Sequence, residues 1–561
     1  MKITYVGTGS AALFDLIKKA KAGHDVTALE KGPKVGGESS WATAAREPLG
    51  PHYSDEATII KVQEESIQFE RTLLEFLEDL TGITDQVKLA AMLEEFHLPT
   101  GCDYLLHRKS ETSAEKLESL MATVVAHYEG LCKKDPKNKV FGEPAELVRK
   151  LSDDYVRLLA QTEDEKPLYT AGYHVRERFI RWPMVVEKLF IPLLKKYKVD
   201  VRLNQKVTSI QRPTNADGYV LTVESNETKA TQESKIAEKS LLKSPTIANA
   251  TCHFIATLNQ SAGAPYVYEE AKQIMRPKVM AILSKVPSTI KYSRVVIHGP
   301  YAAITLAGDG TAFLTAEKVT TLPETKEIQI ESQYLALARQ PEKLKEIAAK
   351  ALQEATNYFP ELKADGVQVE GGKLGVVRTY EQGEHIDTRV ATGVKKRFPG
   401  LWEVHATKLM TGASIPAYTD QLLAEDSRIL AGVQGTVSAI KELVGKLGED
   451  DPVLKVVKNK ESASDILKKM SKDTVLEGML WTNLQSRSSV PEKKSDQAKK
   501  TEEKGGVTLE SKTMSNVMKA KAACHLLLPS SPLLLGGKKN KSLMEEKSIP
   551  HVAEPTVRNI F

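Results

Sequence analysis

The chain has few of the residues that would build a stapled, metal-bound or membrane-spanning protein. Its 561 residues include only four cysteines, Cys102, Cys132, Cys252 and Cys524, scattered without paired spacing. That pattern favours reduced thiols over a disulfide framework or a zinc site. The twelve histidines form no His-Glu-x-x-His or similar ligand spacing, so no metal is expected. No run of about 18 apolar residues occurs that would span a bilayer as a helix. The first apolar run starts at Lys2, which leaves no room for a cleaved leader, and a cytoplasmic protein is expected. A net charge of +5 is too mild in a chain of this size to point to nucleic acid or an anionic membrane. The 41% apolar and 27% charged content is that of a globular protein, and the length predicts two or three domains.

What is present begins at the N-terminus. Lys2 to Val6 reads as a buried strand, Gly7-Thr8-Gly9 as a tight turn, Ser10 to Ala22 as a helix, and Asp25 to Leu29 as a second strand ending at Glu30. This is one βαβ unit with a dinucleotide-binding spacing. Gly7 permits the turn, Gly9 lets the backbone approach a pyrophosphate, and Ala12 is small enough for helix and strand to touch. The helix start at Ser10 offers unpaired N–H groups and the positive end of a dipole to the anion. Glu30 lies 21 residues past Gly9, where a carboxylate accepts from ribose hydroxyls. Lys31 follows it, and no arginine does, so a ribose 2′-phosphate is not favoured.

A nicotinamide-type domain would continue with further βα units. This chain instead runs into Gly36-Gly37-Glu38-Ser39-Ser40-Trp41-Ala42-Thr43-Ala44-Ala45, small residues able to lie against a ligand, and then into long helical patterns. No strand pattern is expected again until about residue 199.

The segments VGTGSAAL and GHDVTALEKGPKVGGESSWATAA resemble the N-terminus of FAD-dependent oxidoreductases of the D-amino-acid oxidase, glycine oxidase and D-amino-acid dehydrogenase family. In that family a Gly-Gly-x-(Ser/Thr)-Ser-x-Ala-Asn-Ala-Gly run is usual. Ser40, Ala42 and Ala44 match it, Thr43 stands where Asn is usual, and Ala45 replaces the last glycine. The resemblance implies FAD as cofactor. It implies an α/β fold: a discontinuous Rossmann-like FAD-binding domain, a substrate domain of antiparallel β-sheet plus helices, and here a partly disordered C-terminal tail. The expected division is 1–55, 170–265 and 396–448 for the FAD domain, 56–169 and 266–395 for the substrate domain, and 449–561 for a helical extension and low-complexity tail.

Along the chain, apolar spacing predicts helices over Ile59 to Leu80 with Gly82 as cap, Val87 to Phe96, Glu115 to Cys132 and Pro144 to Ala160. Trp182 to Tyr197 reads as a helix, Val199 to Ile210 as two strands turning at Asn204-Gln205, and Tyr219 to Glu224 as another. Ser225 to Lys243 reads as a solvated loop. By resemblance Val207 contacts adenine through its backbone. Thr251 to Thr257 resembles the strand that ends in Ala-Thr-Gly in many FAD enzymes, which puts Ala256 and Thr257 at the cofactor and Leu258 in place of the glycine. Short strands are expected at Arg294 to His298, Ala303 to Leu306 and Ala312 to Val319, with a hairpin at Asp309-Gly310. An amphipathic helix over Glu342 to Tyr358, strands over Gly366 to Tyr380 and a strand at Leu401 to His405 follow. Gly412 would begin a helix to Leu423 that faces the flavin, in a stretch where the family has more glycines. Ser486 to Lys512 is too polar to fold, and the leucine runs at Leu526 and Leu533 read as part of a disordered tail, with docking on a protein partner as the alternative.

The implied reaction is oxidation of an amino acid or amine by hydride transfer to flavin, with oxygen or a quinone as electron acceptor. A substrate carboxylate calls for a guanidinium, and Arg378 in GVVRTY is the first choice, with Tyr380 on the same strand face. The alternative for Arg378 is an ordinary surface ion pair. Tyr173, His174, Arg176 and Arg178 form a second polar cluster, read as a solvated loop or an interface lining. Trp41 is a cover for the flavin or a core aromatic. No general acid or base is assigned. Departures at Thr43, Ala45 and Leu258 support an alternative function, a degenerate flavoprotein fold acting through its surface or tail.

Overall fold

The computed structural model describes residues 1–427 except 38–39, 41, 43–44, 99–100, 160–165, 214–217, 226–238, 265–272, 309, 326–331, 365, 383–384, 388–392 and 407. The chain divides into two units, Met1–Thr474 and Val475–Phe561, and every described residue belongs to the first.

The βαβ unit forms as its sequence predicts: β1 (Lys2–Val6), α1 (Ser10–Lys21) and β2 (Asp25–Leu29). The strand β1 is buried on both faces, which suits its β-branched and aromatic residues to the middle of a parallel sheet. It pairs in parallel with β2 on one side and with Thr246–Asn249 on the other. The six-stranded order is Gly393–Phe398, Leu401–His405, Thr246–Asn249, β1, β2, Asp200–Arg202, parallel except at the Gly393–Phe398 edge. The chain leaves β1 in one direction through β2 and returns on its other side through Thr246–Asn249. Ligand crevices form at such a switch, outside the carboxyl ends of the strands.

One face of α1 carries Leu13, Phe14, Leu16 and Ile17, all fully buried. The Phe14 ring lies 5.5 Å from Phe69 and 5.9 Å from Phe76 of α2 (Glu56–Thr81), and 5.0 Å from Phe190. Lys18, Lys19 and Lys21 in the last turn of α1 complement its dipole. Gly82 caps α2 in a left-handed conformation. The expected Trp182 to Tyr197 helix contains a π turn over Val186–Phe190. Pro192 explains it, because its ring has no N–H to donate and crowds the carbonyl one turn back.

A second, nine-stranded sheet runs in the order His385–Asp387, Gln368–Gln382, Gln273–Ser284, Thr311–Ala316, Ala302–Gly308, Ser293–Ile297, Cys102–His107, Tyr169–Val175, Val148–Lys150. All neighbours are antiparallel except Ser293–Ile297 with Cys102–His107. On one face Ala281, Leu283, Ala312 and Leu314 pack with Ala348, Ala351 and Ala355 of the amphipathic helix Pro341–Ala355. A three-stranded antiparallel sheet, Gln205–Gln211, Tyr219–Ser225 and Lys239–Ser244, completes the α/β architecture.

Several expectations are corrected. Strands return well before residue 199, at Cys102–His107, Val148–Lys150 and Tyr169–Val175. Every residue of Cys102–His107 is buried, so the segment shows no two-residue alternation to read. Pro144 to Ala160 is not one helix but a 3-10 turn at Pro144–Glu146, the strand Val148–Lys150 and a short helix Asp153–Leu159. Tyr173 and His174 lie in a strand rather than a loop. The solvated loop expected to reach Lys243 gives way to Lys239–Ser244, an exposed, lysine-bearing edge strand whose polarity hides its pairing. The stretch Thr251 to Thr257 is not a strand: the strand is Thr246–Asn249, and Ile255–Ser261 is helical. Residues 449–561, with the tail and leucine runs, lie outside the described residues.

Candidate functional site

The turn between β1 and α1 is built on Gly7, whose φ of +95° is a conformation that favours glycine. A Cβ at this position would stand 2.8 Å from the Ala250 carbonyl oxygen, so the turn and the end of Thr246–Asn249 touch through backbone alone. Ala12 is fully buried where α1 meets the sheet.

Glu30, at the end of β2, folds back onto the turn. Its Oε2 accepts from the Thr8 amide at 3.0 Å and the Thr8 hydroxyl at 2.7 Å, and its Oε1 accepts from the Gly32 amide at 2.9 Å. A carboxylate oxygen offers about two acceptor sites, so Oε1 retains one. Ser40 places its hydroxyl at the start of α1, accepting from the Ser10 amide at 3.1 Å.

These groups line one wall of a cavity of about 1060 Å³, together with Gly9, Lys31, Gly37 and Val207. The opposite wall is the nine-stranded sheet. Arg276, Lys278 and Met280 face the cavity, while Ala281 and Leu283 of the same strand face the covering helix. Basic side chains outnumber carboxylates seven to two on the lining, so the cavity favours anions.

Arg46 is the guanidinium on this lining nearest in sequence to the small-residue run. It sits in the two-residue strand Arg46–Glu47, paired with Arg178–Phe179. Its Nε lies 3.8 Å from Oε2 of the fully buried Glu177. Glu177 Oε1 accepts from the Leu49 amide at 2.7 Å and from the Tyr104 hydroxyl. Burial raises the Glu177 carboxyl above its ordinary range, against the opposing pull of Arg46. Further along the sheet wall, Lys278 forms an ion pair with Glu317, and Arg276 Nε lies 3.1 Å from Glu324. Burial lowers Lys278; burial pushes Glu317 up, but Lys278, Thr321 and Arg276 together hold it below the usual carboxylate range.

Two non-glycine residues with left-handed backbones border the cavity, Cys252 (φ +55°) and His298 (φ +59°). Such strain tends to collect at functional sites. The Cys252 Sγ lies 3.6 Å from the Val376 carbonyl oxygen, bridging the two walls. Burial lowers the His298 pKa and keeps its ring neutral at pH 7.

Of the residues read from sequence, Gly7, Gly9, Ser10, Glu30, Lys31, Gly37, Ser40, Val207 and Thr257 are brought to the cavity. Gly36 packs instead against the helix beginning at Trp182, with the Val186 side chain 3.0 Å from where its Cβ would be. Ala256 is buried within the helix Ile255–Ser261, and the Ala-Thr pair that follows the strand is Ala250-Thr251, six residues earlier. Cys252 and Leu258 both line the cavity. Gly412 lies in the 3-10 turn Met410–Ser414 that leads directly into an α-helix over 415–427, pressed against α1 with its Cβ position 2.5 Å from the Ser10 carbonyl oxygen. Trp41, Thr43 and Ala44 lie outside the described residues. Arg378 and Tyr380 occupy the strand Gln368–Gln382 opposite Met275 and Gln273, two and four residues beyond the cavity-lining Val376; their side chains lie outside the described part.

No protein-family model matches this chain, and no curated protein matches it. Among solved structures, glycine oxidase from Geobacillus kaustophilus is similar at 14% identity and a TM-score of 0.49, covering 75% of this chain and 94% of that one. L-amino acid deaminase from Proteus vulgaris is similar at 14% identity and a TM-score of 0.48, covering 75% and 93%. L-alpha-glycerophosphate oxidase from Mycoplasma pneumoniae is similar at 13% identity and a TM-score of 0.45, covering 77% and 94%.

Proposed function

We propose that this chain is an FAD-dependent oxidoreductase that oxidises a small amino acid or amine. The observation that carries the reading is one cavity walled on one side by a dinucleotide-type turn and on the other by a cation-bearing sheet. A drug-sized ligand site spans roughly 300–1000 Å³. At about 1060 Å³ this one has room for an extended cofactor and a small second molecule.

The residues fit FAD. Gly7, Gly9 and Ser10 with the start of α1 hold the pyrophosphate, the open acceptor site of Glu30 Oε1 takes a ribose hydroxyl, and the Val207 backbone meets adenine. Lys31, Gly37, Ser40 and Thr257 complete this wall, and Thr43 and Ala44 are assigned to it from sequence. FAD, when bound, supplies the hydride acceptor. Arg46 clamps a substrate carboxylate with its planar fork, and Glu177 and Tyr104 hold that fork in place. Arg378 and Tyr380 are assigned as further carboxylate donors from the neighbouring strand.

One observation favours a second reading, a fold kept without catalysis and acting through its surface or tail. Ser40 already caps the Ser10 amide, and Thr8 and Gly32 already fill three acceptor sites of Glu30, so both cofactor anchors are largely satisfied internally. The visible spectrum of the purified protein under anaerobic addition of D- and L-amino acids and small amines decides between them. Flavin bands that bleach with one class establish the enzyme, and re-oxidation by oxygen or by a quinone then names the acceptor. A flavin that never bleaches, or a protein that takes up none, supports the second reading.

A further inference from the structure

We propose that Glu47, Glu70 and His97 form a binding site for one divalent transition-metal cation, zinc by the chemistry of the donors. The site stands behind the cavity wall and does not depend on the flavin reading.

The three residues come from separate elements: Glu47 from the strand Arg46–Glu47, Glu70 from α2, and His97 from the segment after the helix Gln86–Glu94, where it bridges to Ile180. They are separated by 23 and 27 residues, which matches no linear metal motif. The fold nevertheless brings one ligand atom of each within 4.8 Å of the others, and all three side chains are buried.

Glu47 is the observation that points to a ligand. It is 1% exposed, no N–H or hydroxyl donor reaches either of its carboxylate oxygens, and its close neighbours are the Glu70 carboxylate and His97 Nε2, the latter 3.9 Å from Oε1. Buried carboxylates are nearly always met by donors or cations, and one whose close neighbours are a second carboxylate and an imidazole is a site short of a cation.

The surrounding groups are arranged as supports for such ligands. Arg178 Nη1 donates to Glu70 Oε2 at 2.9 Å, and its Nη2 lies 2.7 Å from Glu94 Oε1. Glu94 Oε2 stands 3.6 Å from His97 Nδ1, which leaves Nε2 directed at the site. A carboxylate behind the imidazole and a hydrogen bond to the ligating carboxylate are the usual outer partners of a metal centre. Without metal, His97 Nε2 rests on Glu70 Oε1 at 2.8 Å, a contact the cation would replace. Three carboxylates gather around one guanidinium and one imidazole here, an arrangement that favours a cation. One imidazole with two carboxylates suits zinc, leaving a fourth position open. The metal would tie α2 and the His97 segment to the strand that presents Arg46 to the cavity.

Tag-free, full-length protein freed of metal by chelation is titrated with zinc alone, with bound zinc read by elemental analysis after desalting and by competition with a chromogenic chelator. We expect one zinc per chain in the wild type, at least 100-fold weaker binding in Glu47→Gln and in His97→Gln, and wild-type binding in His127→Gln, whose contact with Glu64 is elsewhere. Zinc should raise the thermal midpoint of the wild type and not of Glu47→Gln. If either variant does not fold, the visible bands of the cobalt-loaded wild type serve instead, with imidazole and carboxylate ligation expected. Failure of the wild type to take up one zinc, retention of zinc by both variants, or a cobalt spectrum of thiolate ligation would overturn the proposal.

Discussion

Replacing Gly7 by alanine tests the crevice at its tightest point, and Gly23→Ala supplies a matched control. Both glycines have a positive φ, +95° and +85°. The conformational cost of a Cβ in such a region is about 1–2 kcal/mol and is shared by both substitutions. They differ in surroundings: a Cβ at Gly23 meets nothing within 4 Å, whereas at Gly7 it meets the Ala250 carbonyl oxygen at 2.8 Å and its carbon at 3.2 Å. These are backbone atoms held by the pairing of β1 with Thr246–Asn249, and relieving such overlap costs about 1–3 kcal/mol more. Gly7→Ala should therefore destabilise the protein by roughly 2–5 kcal/mol and Gly23→Ala by roughly 1–2 kcal/mol. Because the overlap displaces the turn that lines the cavity, about 1.4 kcal/mol of it appearing in binding weakens FAD tenfold. Urea denaturation and an FAD titration of both variants measure the two effects. Equal destabilisation by the two, or an unchanged FAD affinity in a folded Gly7→Ala, would refute the reasoning.

Arg46→Lys keeps the charge and loses the planar fork, so KM for a carboxylate substrate should rise about 10–100-fold with kcat much less affected, read by steady-state kinetics against an amine lacking the carboxylate. Phe14→Ala removes a ring packed on Phe69, Phe76 and Phe190 and should cost about 3–5 kcal/mol in chemical denaturation. Glu317 has a folded-state pKa below its unfolded value, because against burial, the largest single effect, Lys278, Thr321 and Arg276 together favour the carboxylate. Its contribution is therefore fully present above an unfolded pKa of about 4.3 and is lost as pH falls through the folded value. The thermal midpoint should drop below about pH 4.3, and less steeply in Glu317→Gln.

The βαβ unit was legible because each of its signals is local: an apolar run, two glycines at a turn, a helix whose apolar face repeats, and an acid at the end of the second strand. The hairpin leading to Thr311–Ala316 and the helix Pro341–Ala355 were legible for the same reason, as they alternate or repeat with one face buried. Cys102–His107 was hidden because it is buried on both faces and sits between two helical segments. Thr251 to Thr257 was misread as a strand because it is as β-prone as one, while the left-handed Cys252 within it has no sequence signal. Arg46 and Glu47 were missed because a two-residue strand has no period, and their partners Glu177, Glu70 and His97 are distant in sequence. Local chemistry announces itself along the chain; chemistry assembled from remote segments does not.

The most direct test of the central claim is an equilibrium titration of the purified protein with FAD, followed by quenching of flavin fluorescence and by absorbance after desalting. The account predicts one saturable site per chain, weakened by Gly7→Ala and by Glu30→Gln. A wild-type protein that holds no FAD, or that holds it equally well with both substitutions, would contradict it.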